Sequence, residues 1–218
     1  MRFFPECRIL KSIMVITYHG GEFFKVTFGD TTLAFNPISK DSTLKTTKFG
    51  ADIALVSINH KDMNGIEQVQ HGERAPFVIN GPGEYEIRGV FVKGFPTFIT
   101  YDGEERINTI YTVELEGMHL VFLGALGERK LSSEIKGALP DIDILFVPIG
   151  GNDVLTPSDA HELAVQLEAK IVIPMHYTDK ELAFFVKSEG VNGKPVEKLT
   201  LKKKDLDEKE GEIVVLSA

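Results

Sequence analysis

The sequence predicts an α/β fold in four layers, αβ/βα, with two β-sheets face to face and helices outside, assembled from two similar halves. Three observations carry that expectation. A hairpin pattern occurs twice, two nearly all-apolar strings follow each copy at similar spacing, and amphipathic helical stretches lie where those strings need covering.

The hairpins come first. FKVTFGDTTLAFNP (residues 24–37) and YTVELEGMHLVFLG (residues 111–124) each alternate apolar and polar residues around a tight Gly-Asp or Glu-Gly turn, and they stand 87 residues apart. DIALVSIN (residues 52–59) then echoes DILFVPIG (residues 143–150) at an offset of 91, and APFVIN (residues 75–80) echoes AKIVIP (residues 169–174) at 94. One such match between short β-rich strings means little; three in the same order mark an internal duplication. Strings this uniformly apolar read as strands buried on both faces, which must be covered by helices or a second sheet.

Helices are predicted where covering is needed. PSDAHELAVQLEAK (residues 157–170) has Thr156 as an N-cap and Pro157 at the first helical position, with Ala160, Leu163, Ala164 and Leu167 on one face. DKELAFFVKS (residues 179–188) is a second amphipathic helix, stopped by Gly190, and residues 132–138 form a weaker third. The tail ends in two strand-like strings, EKLTLKK (residues 197–203) and EIVVLSA (residues 212–218). Residues 1–13 fit this pattern poorly and are expected to be a leader outside the fold, leaving residues 14–218 as a single domain.

Composition narrows the function. The 218 residues are 43% apolar and 26% charged, ordinary for a globular protein, and the net charge of -8 argues against a binder of phosphate backbones. The basic cluster Lys202-Lys203-Lys204 is answered at once by Asp205, Asp207, Glu208 and Glu210, so it reads as solvated surface. A single cysteine, Cys7, precludes an internal disulfide and suits a reducing compartment. No apolar run approaches the roughly 18 residues of a membrane span, and the N-terminus lacks the apolar core and cleavage site of a secretory signal. A cytoplasmic protein with no nucleic-acid or membrane partner is expected.

The predicted strands end in polar or glycine-rich loops that can converge on one edge: Asn36-Pro37, Asn59-His60, Asn80-Gly81, Gly124-Ala125, Gly150-Gly151 and Met175-His176. Through ITYHGGEFFKV, INGPGEYEIRGV, INTIYTVELEG, VFLGALG, DIDILFVPIGG and KIVIPMHY the chain resembles the metallo-β-lactamase superfamily. The likeness is to its compact branch of zinc-dependent hydrolases related to sugar-phosphate lactonases, and it spans residues 14–177.

That resemblance implies a His-x-His-x-Asp-His signature after the third core strand, feeding two zinc ions that share a hydroxide. Each catalytic zinc needs about three protein ligands and one open position. Laid on this chain, the signature falls on Ile58, His60, Asp62 and Met63. A later ligand histidine falls near Phe95-Pro96-Thr97, where there is none. The bridging aspartate position is Ala125, and the closing histidine is retained as His176. One ion keeps one ligand of three and the other keeps two. The family's Asp-Pro loop here reads Asn36-Pro37, and losing that acid together with the bridging one makes sense, because a buried carboxylate without a cation is costly.

Two functional readings follow. In the first, the chain has lost most of its dinuclear zinc ligands and is a non-catalytic, ligand-binding or interaction member with no cofactor. Met63 then fills vacated room, and Asp62 caps its loop or bonds His176. In the second, His60, Asp62 and His176 hold at most one zinc or manganese ion, with His19 as a fourth group, and hydrolyse an ester, lactone or phosphate ester. Cleft candidates are His19, Asn36, Asn59, Asn80, Glu84, Tyr85, Asn108 and Tyr177. GPGEYE (residues 81–86) lacks the third glycine and the lysine of a phosphate loop, and no Gly-x-Ser-x-Gly elbow is present. The expected partner is a small molecule or a protein, with homo-oligomerisation left open.

Overall fold

The computed structural model describes residues 13–188 and 194–218. Of the expected leader only Ile13 is among them, half-exposed; Cys7 and the helix stop at Gly190 lie outside the described residues.

In chain order the strands of the first half are β1 (Met14–Tyr18), β2 (Phe24–Phe28), β3 (Thr31–Phe35), β4 (Ile53–Leu55) and β5 (Phe77–Ile79). Next come β6 (Gly83–Ile87), β7 (Val90–Tyr101), β8 (Glu104–Leu115), β9 (Met118–Phe122), α1 (Ser133–Ala138), β10 (Ile144–Pro148), α2 (Pro157–Gln166), β11 (Ile171–Met175) and α3 (Asp179–Ser188). The tail adds β12 (Leu199–Leu201) and β13 (Glu212–Ile213). One sheet runs β12-β1-β2-β3-β4-β5 and the other β13-β11-β10-β9-β8-β7-β6.

The duplication is visible in the pairing. β2 and β3 are antiparallel, and β3, β4 and β5 are parallel to one another; β8 and β9 are antiparallel, and β9, β10 and β11 are again parallel. Tail strand β12 pairs with β1 and β13 with β11, so each sheet is finished by a strand from the end of the chain.

Between the sheets lies the main core, in which Phe24, Phe35, Phe122 and Phe146 pack with ring centroids 4.8 to 6.5 Å apart. A second cluster fills the space between the larger sheet and its helices, through Leu145, Val147, Ala160, Leu163 and Phe185. Thr156 caps α2 as expected, its Oγ1 accepting from Asp159 N at 3.1 Å, and Ser132, expected inside the weaker helix, caps α1, its Oγ accepting from Ile135 N at 3.2 Å.

The four layers are therefore present, with one difference in substance. The smaller sheet is covered by the chain between β3 and β4 and by a 3-10 turn at Ile66–Gln68, which bury Phe23, Ala34, Ile38 and Ala54. β5 also differs from its expected doubly buried state. It ends its sheet, and Phe77 is 50% exposed, whereas β11 stays interior because β13 adds beyond it.

Candidate functional site

Loops from both halves meet at the C-terminal ends of the parallel strands. β3 hands over to Asn36, β4 to residues 56–60, β9 to residues 123–125 and β11 to His176. Asn36 and His176 both have positive φ, 43° and 54°. Asn tolerates that region, and a histidine there costs roughly 1–3 kcal/mol that the surroundings must offset. Main-chain bonds pin both: Asn36 N donates to Leu55 O and His176 N to Gly21 O, each at 2.8 Å.

Glu22 lies between them. It follows the Gly20-Gly21 turn, is 1% exposed, and uses both carboxylate oxygens. Oε1 is 2.7 Å from His176 Nδ1, and Oε2 accepts from Asn36 Nδ2 at 2.7 Å. Asn36 Nδ2 also reaches Ser57 Oγ at 2.8 Å, and Ser57 N donates back to Asn36 Oδ1 at 2.7 Å. A buried carboxylate is tolerable only when paired and hydrogen-bonded, and these residues supply both conditions.

Burial alone would lower the His176 pKa. The hydrogen bond and charge of Glu22, followed by the charges of Asp62 and Asp153, outweigh burial and hold it above its ordinary value. A raised folded pKa adds stability that is complete below the unfolded value, about 6.5, and is lost as pH rises through the folded one. Urea unfolding from about pH 6.5 to 8.5 is expected to show stability falling in the native protein and a flatter profile in His176→Gln. An unchanged slope in that variant would assign the effect to another group.

Across the cleft, His60 Nδ1 is 3.6 Å from Asp62 Oδ2 and its Nε2 is 3.4 Å from Asp102 Oδ2. Asp62 Oδ1 accepts from Ser42 Oγ at 2.5 Å. Tyr101 packs edge-on against both histidines, its ring centroid 5.0 Å from His60 and 5.9 Å from His176. Burial, then the charges of Glu22, Asp62, Asp153 and Asp102, push its phenol pKa upward, so it remains neutral.

Three of the positions on which the resemblance lays ligands, Ile58, Met63 and Ala125, are core. Ile58, Met63, Ile99, Tyr101, Ala125 and Val154 form one buried cluster. Ile99 of β7, rather than any residue at 95–97, is the side chain that joins Ile58, Met63 and Ala125. Among the described residues no three His, Cys, Asp or Glu side chains are grouped so as to hold a metal ion. His60 stands beside Asp62 and Asp102, Asp62 accepts from Ser42, and His176 pairs with Glu22. The zinc pair does not fit this residue set.

A cleft of about 330 Å³ remains beside the cluster, lined among others by Glu22, Asp62, Tyr101, Asp153, His176 and Tyr177. Among the described residues no lysine or arginine lines it. With Nδ1 committed to Glu22, the His176 ring leaves Nε2 as the nitrogen for which no partner stands among the described residues, a proton donor or acceptor in an acidic, aromatic-walled space.

The other cleft candidates divide. Asn36 is the hub just described. Asn108 is fully buried behind the cleft; its Nδ2 donates to Thr97 Oγ1 and Leu123 O, and its Oδ1 accepts from Ala125 N, all at 3.0 Å. Gly124, at φ 59°, sits so close that an added Cβ would stand 2.3 Å from Asn108 Oδ1, which explains glycine at this point. Tyr177 lines the cleft, and burial raises its phenol pKa to about 12. His19 lies elsewhere, between Phe23 and Phe49 at 5.2 and 5.4 Å, with its pKa lowered by burial and by Lys25. Asn59 and Asn80 line a separate hollow of about 260 Å³. Glu84 pairs with Lys93 at 2.8 Å on the outer edge of the larger sheet, and Tyr85 Oη donates to Gly81 O at 3.2 Å.

Glu22 and Tyr101 escape the sequence reading. Tyr101 had a signal, the alternation of FITY (residues 98–101) that puts Ile99 and Tyr101 on one face. Glu22 had none, since its partner His176 is 154 residues away.

Comparison with known proteins agrees with this fold. Residues 15–176 match the family described as beta-lactamase superfamily domain. A Listeria innocua protein named as a UPF0173 metal-dependent hydrolase is 27% identical, over 84% of this chain and 97% of its own length. A Thermotoga maritima crystal structure assigned to the zinc-dependent hydrolases of the metallo-β-lactamase superfamily is 31% identical, with a TM-score of 0.76 over 93% of this chain and 98% of that one. A metallo-β-lactamase-fold protein of Bacillus subtilis, 11% identical with a TM-score of 0.62 over 95% and 98%, shares the fold alone.

Proposed function

Since this chain belongs to the metallo-β-lactamase superfamily, we propose that it keeps the family's fold and cleft without two-metal hydrolysis, and uses the cleft to bind a small molecule. The observation that carries this reading is the packing of Ile58, Met63, Ile99 and Ala125 with Tyr101 into one apolar cluster beside His60 and His176. A two-metal hydrolase needs a charged, water-accessible space there, and a buried hydrocarbon cluster gives neither ligands nor room. Fold alone does not carry activity, so the reading rests on these residues although the relatives are named as metal-dependent hydrolases. The cleft at His176 is a concave polar site at that edge, which suits a ligand of modest size. The single Cys7 supports a reducing compartment, and we place the protein in the cytoplasm. No helix among the described residues is long and apolar enough to cross a membrane.

Metal analysis by mass spectrometry tests the reading, after incubation with Zn²⁺ or Mn²⁺ and desalting, on protein free of a histidine tag. Well under one ion per chain is expected, with no turnover of esters, lactones or phosphate esters. Metabolites that raise the melting temperature of the native protein but not of His176→Gln would identify the ligand. One ion per chain, lost in Asp62→Ala, would overturn the proposal in favour of a mononuclear hydrolase.

A further inference from the structure

The long hairpin of β7 and β8 carries an exposed apolar pair. Phe98 and Ile107 stand directly opposite one another across the two strands and are 80% and 52% exposed. Single exposed apolar residues are ordinary, but a cross-strand pair beside a hollow is a patch. The hollow, about 630 Å³, runs from this pair to the loops at residues 127–128 and 152–153. Asn152 and Asp153 line both it and the His176 cleft, so the two are neighbours.

Its charge is one-sided. Glu105, Glu128 and Asp153 line the groove, and among the described residues none has a cation within ion-pair distance. Among the described residues the one cation of the lining, Arg106, is spent on its own chain: Nη2 pairs with Glu104 and Nη1 donates to Asn59 O at 2.9 Å. A second copy of this chain, with net charge -8, meets repulsion at such a rim. Anionic ligands and nucleic acid meet the same field.

We propose that this groove docks a segment of another protein that carries a bulky apolar side chain flanked by lysine or arginine, the apolar group lying on Phe98 and Ile107 and the cations facing Glu105, Glu128 and Asp153. Docking there places the partner next to the mouth of the His176 cleft. The proposal is independent of what the cleft binds.

A random dodecapeptide phage library, panned on the full chain with counter-selection on Phe98→Ser, tests it. Selected peptides, made with a fluorophore, are then measured by fluorescence anisotropy. The expected result is a consensus of an apolar residue with flanking lysine or arginine. Affinity should fall at least about tenfold in Phe98→Ser, several-fold in the double variant Glu105→Gln, Glu128→Gln, and further with added salt. Phe98 is exposed, so an unchanged melting temperature will show that the variant is folded. Failure to enrich any Phe98-dependent peptide, acidic or uncharged flanks, or salt-insensitive binding would each overturn the proposal. So would a dimer of the native chain in sedimentation that Phe98→Ser dissolves, since the face would then be an interface between copies.

Discussion

Asn36→Asp is expected to destabilise the protein by about 3–5 kcal/mol at neutral pH, although it differs by one atom and restores the acid implied by the family resemblance. Asn36 is fully buried and donates to Glu22 Oε2 and to Ser57 Oγ. An aspartate has no such donors, and it would set a second carboxylate against Glu22 at hydrogen-bond distance in a buried site. Two carboxylates so placed cannot both ionise, so one has to take a proton. The backbone is not the cause, because Asp tolerates the positive φ of this position about as well as Asn. The pH dependence gives the sign. A carboxyl whose folded pKa is raised costs nothing below its unfolded pKa, about 4, and costs more as pH rises above it. Urea unfolding should therefore show a wide gap from the native protein near pH 7.5 and a narrower one near pH 4.5. A gap that does not change with pH would mean that carboxylate repulsion is not its source.

Asn108→Leu is expected to cost about 2–5 kcal/mol. The two side chains are similar in size, so the loss is polar rather than volumetric. Leu123 O and Ala125 N, at the end of β9, bond to the Asn108 amide, and each buried group left without a partner costs about 1–3 kcal/mol. Leucine branches would also press on Gly124, whose Cα faces the Asn108 oxygen. Chemical denaturation measures the total, and amide hydrogen exchange at Ala125 should accelerate beyond the global change. A loss below about 1 kcal/mol would show that the loop finds other partners.

These two residues show how far the sequence can be read. Asn36 and Asn108 were identifiable as polar residues at a strand end and within an apolar strand, which places them near a site. Which atoms they bond depends on Glu22, Ser57, Leu123 and Ala125, all brought in by other strands. Glu22 itself looks like a turn residue until His176 returns to it. Ile58, Met63 and Ala125 were each legible as replaced ligands, one at a time. That they pack on one another, with Ile99, Tyr101 and Val154 completing the cluster, is a contact among four separate segments.

What the sequence by itself determined is the set of elements: period-two alternation, turn chemistry and caps specify hairpins and helices locally, and the repeat of the same string order specifies two like halves. Tertiary structure alone decided what the site is. Pairing at the strand ends removed water from Glu22, joined it to His176 and Asn36, and laid Tyr101 against both histidines. The physical reason is one of range. Local patterning acts over a few residues, whereas burial, and the charge pairing that burial demands, is settled by whichever distant segments close over a group.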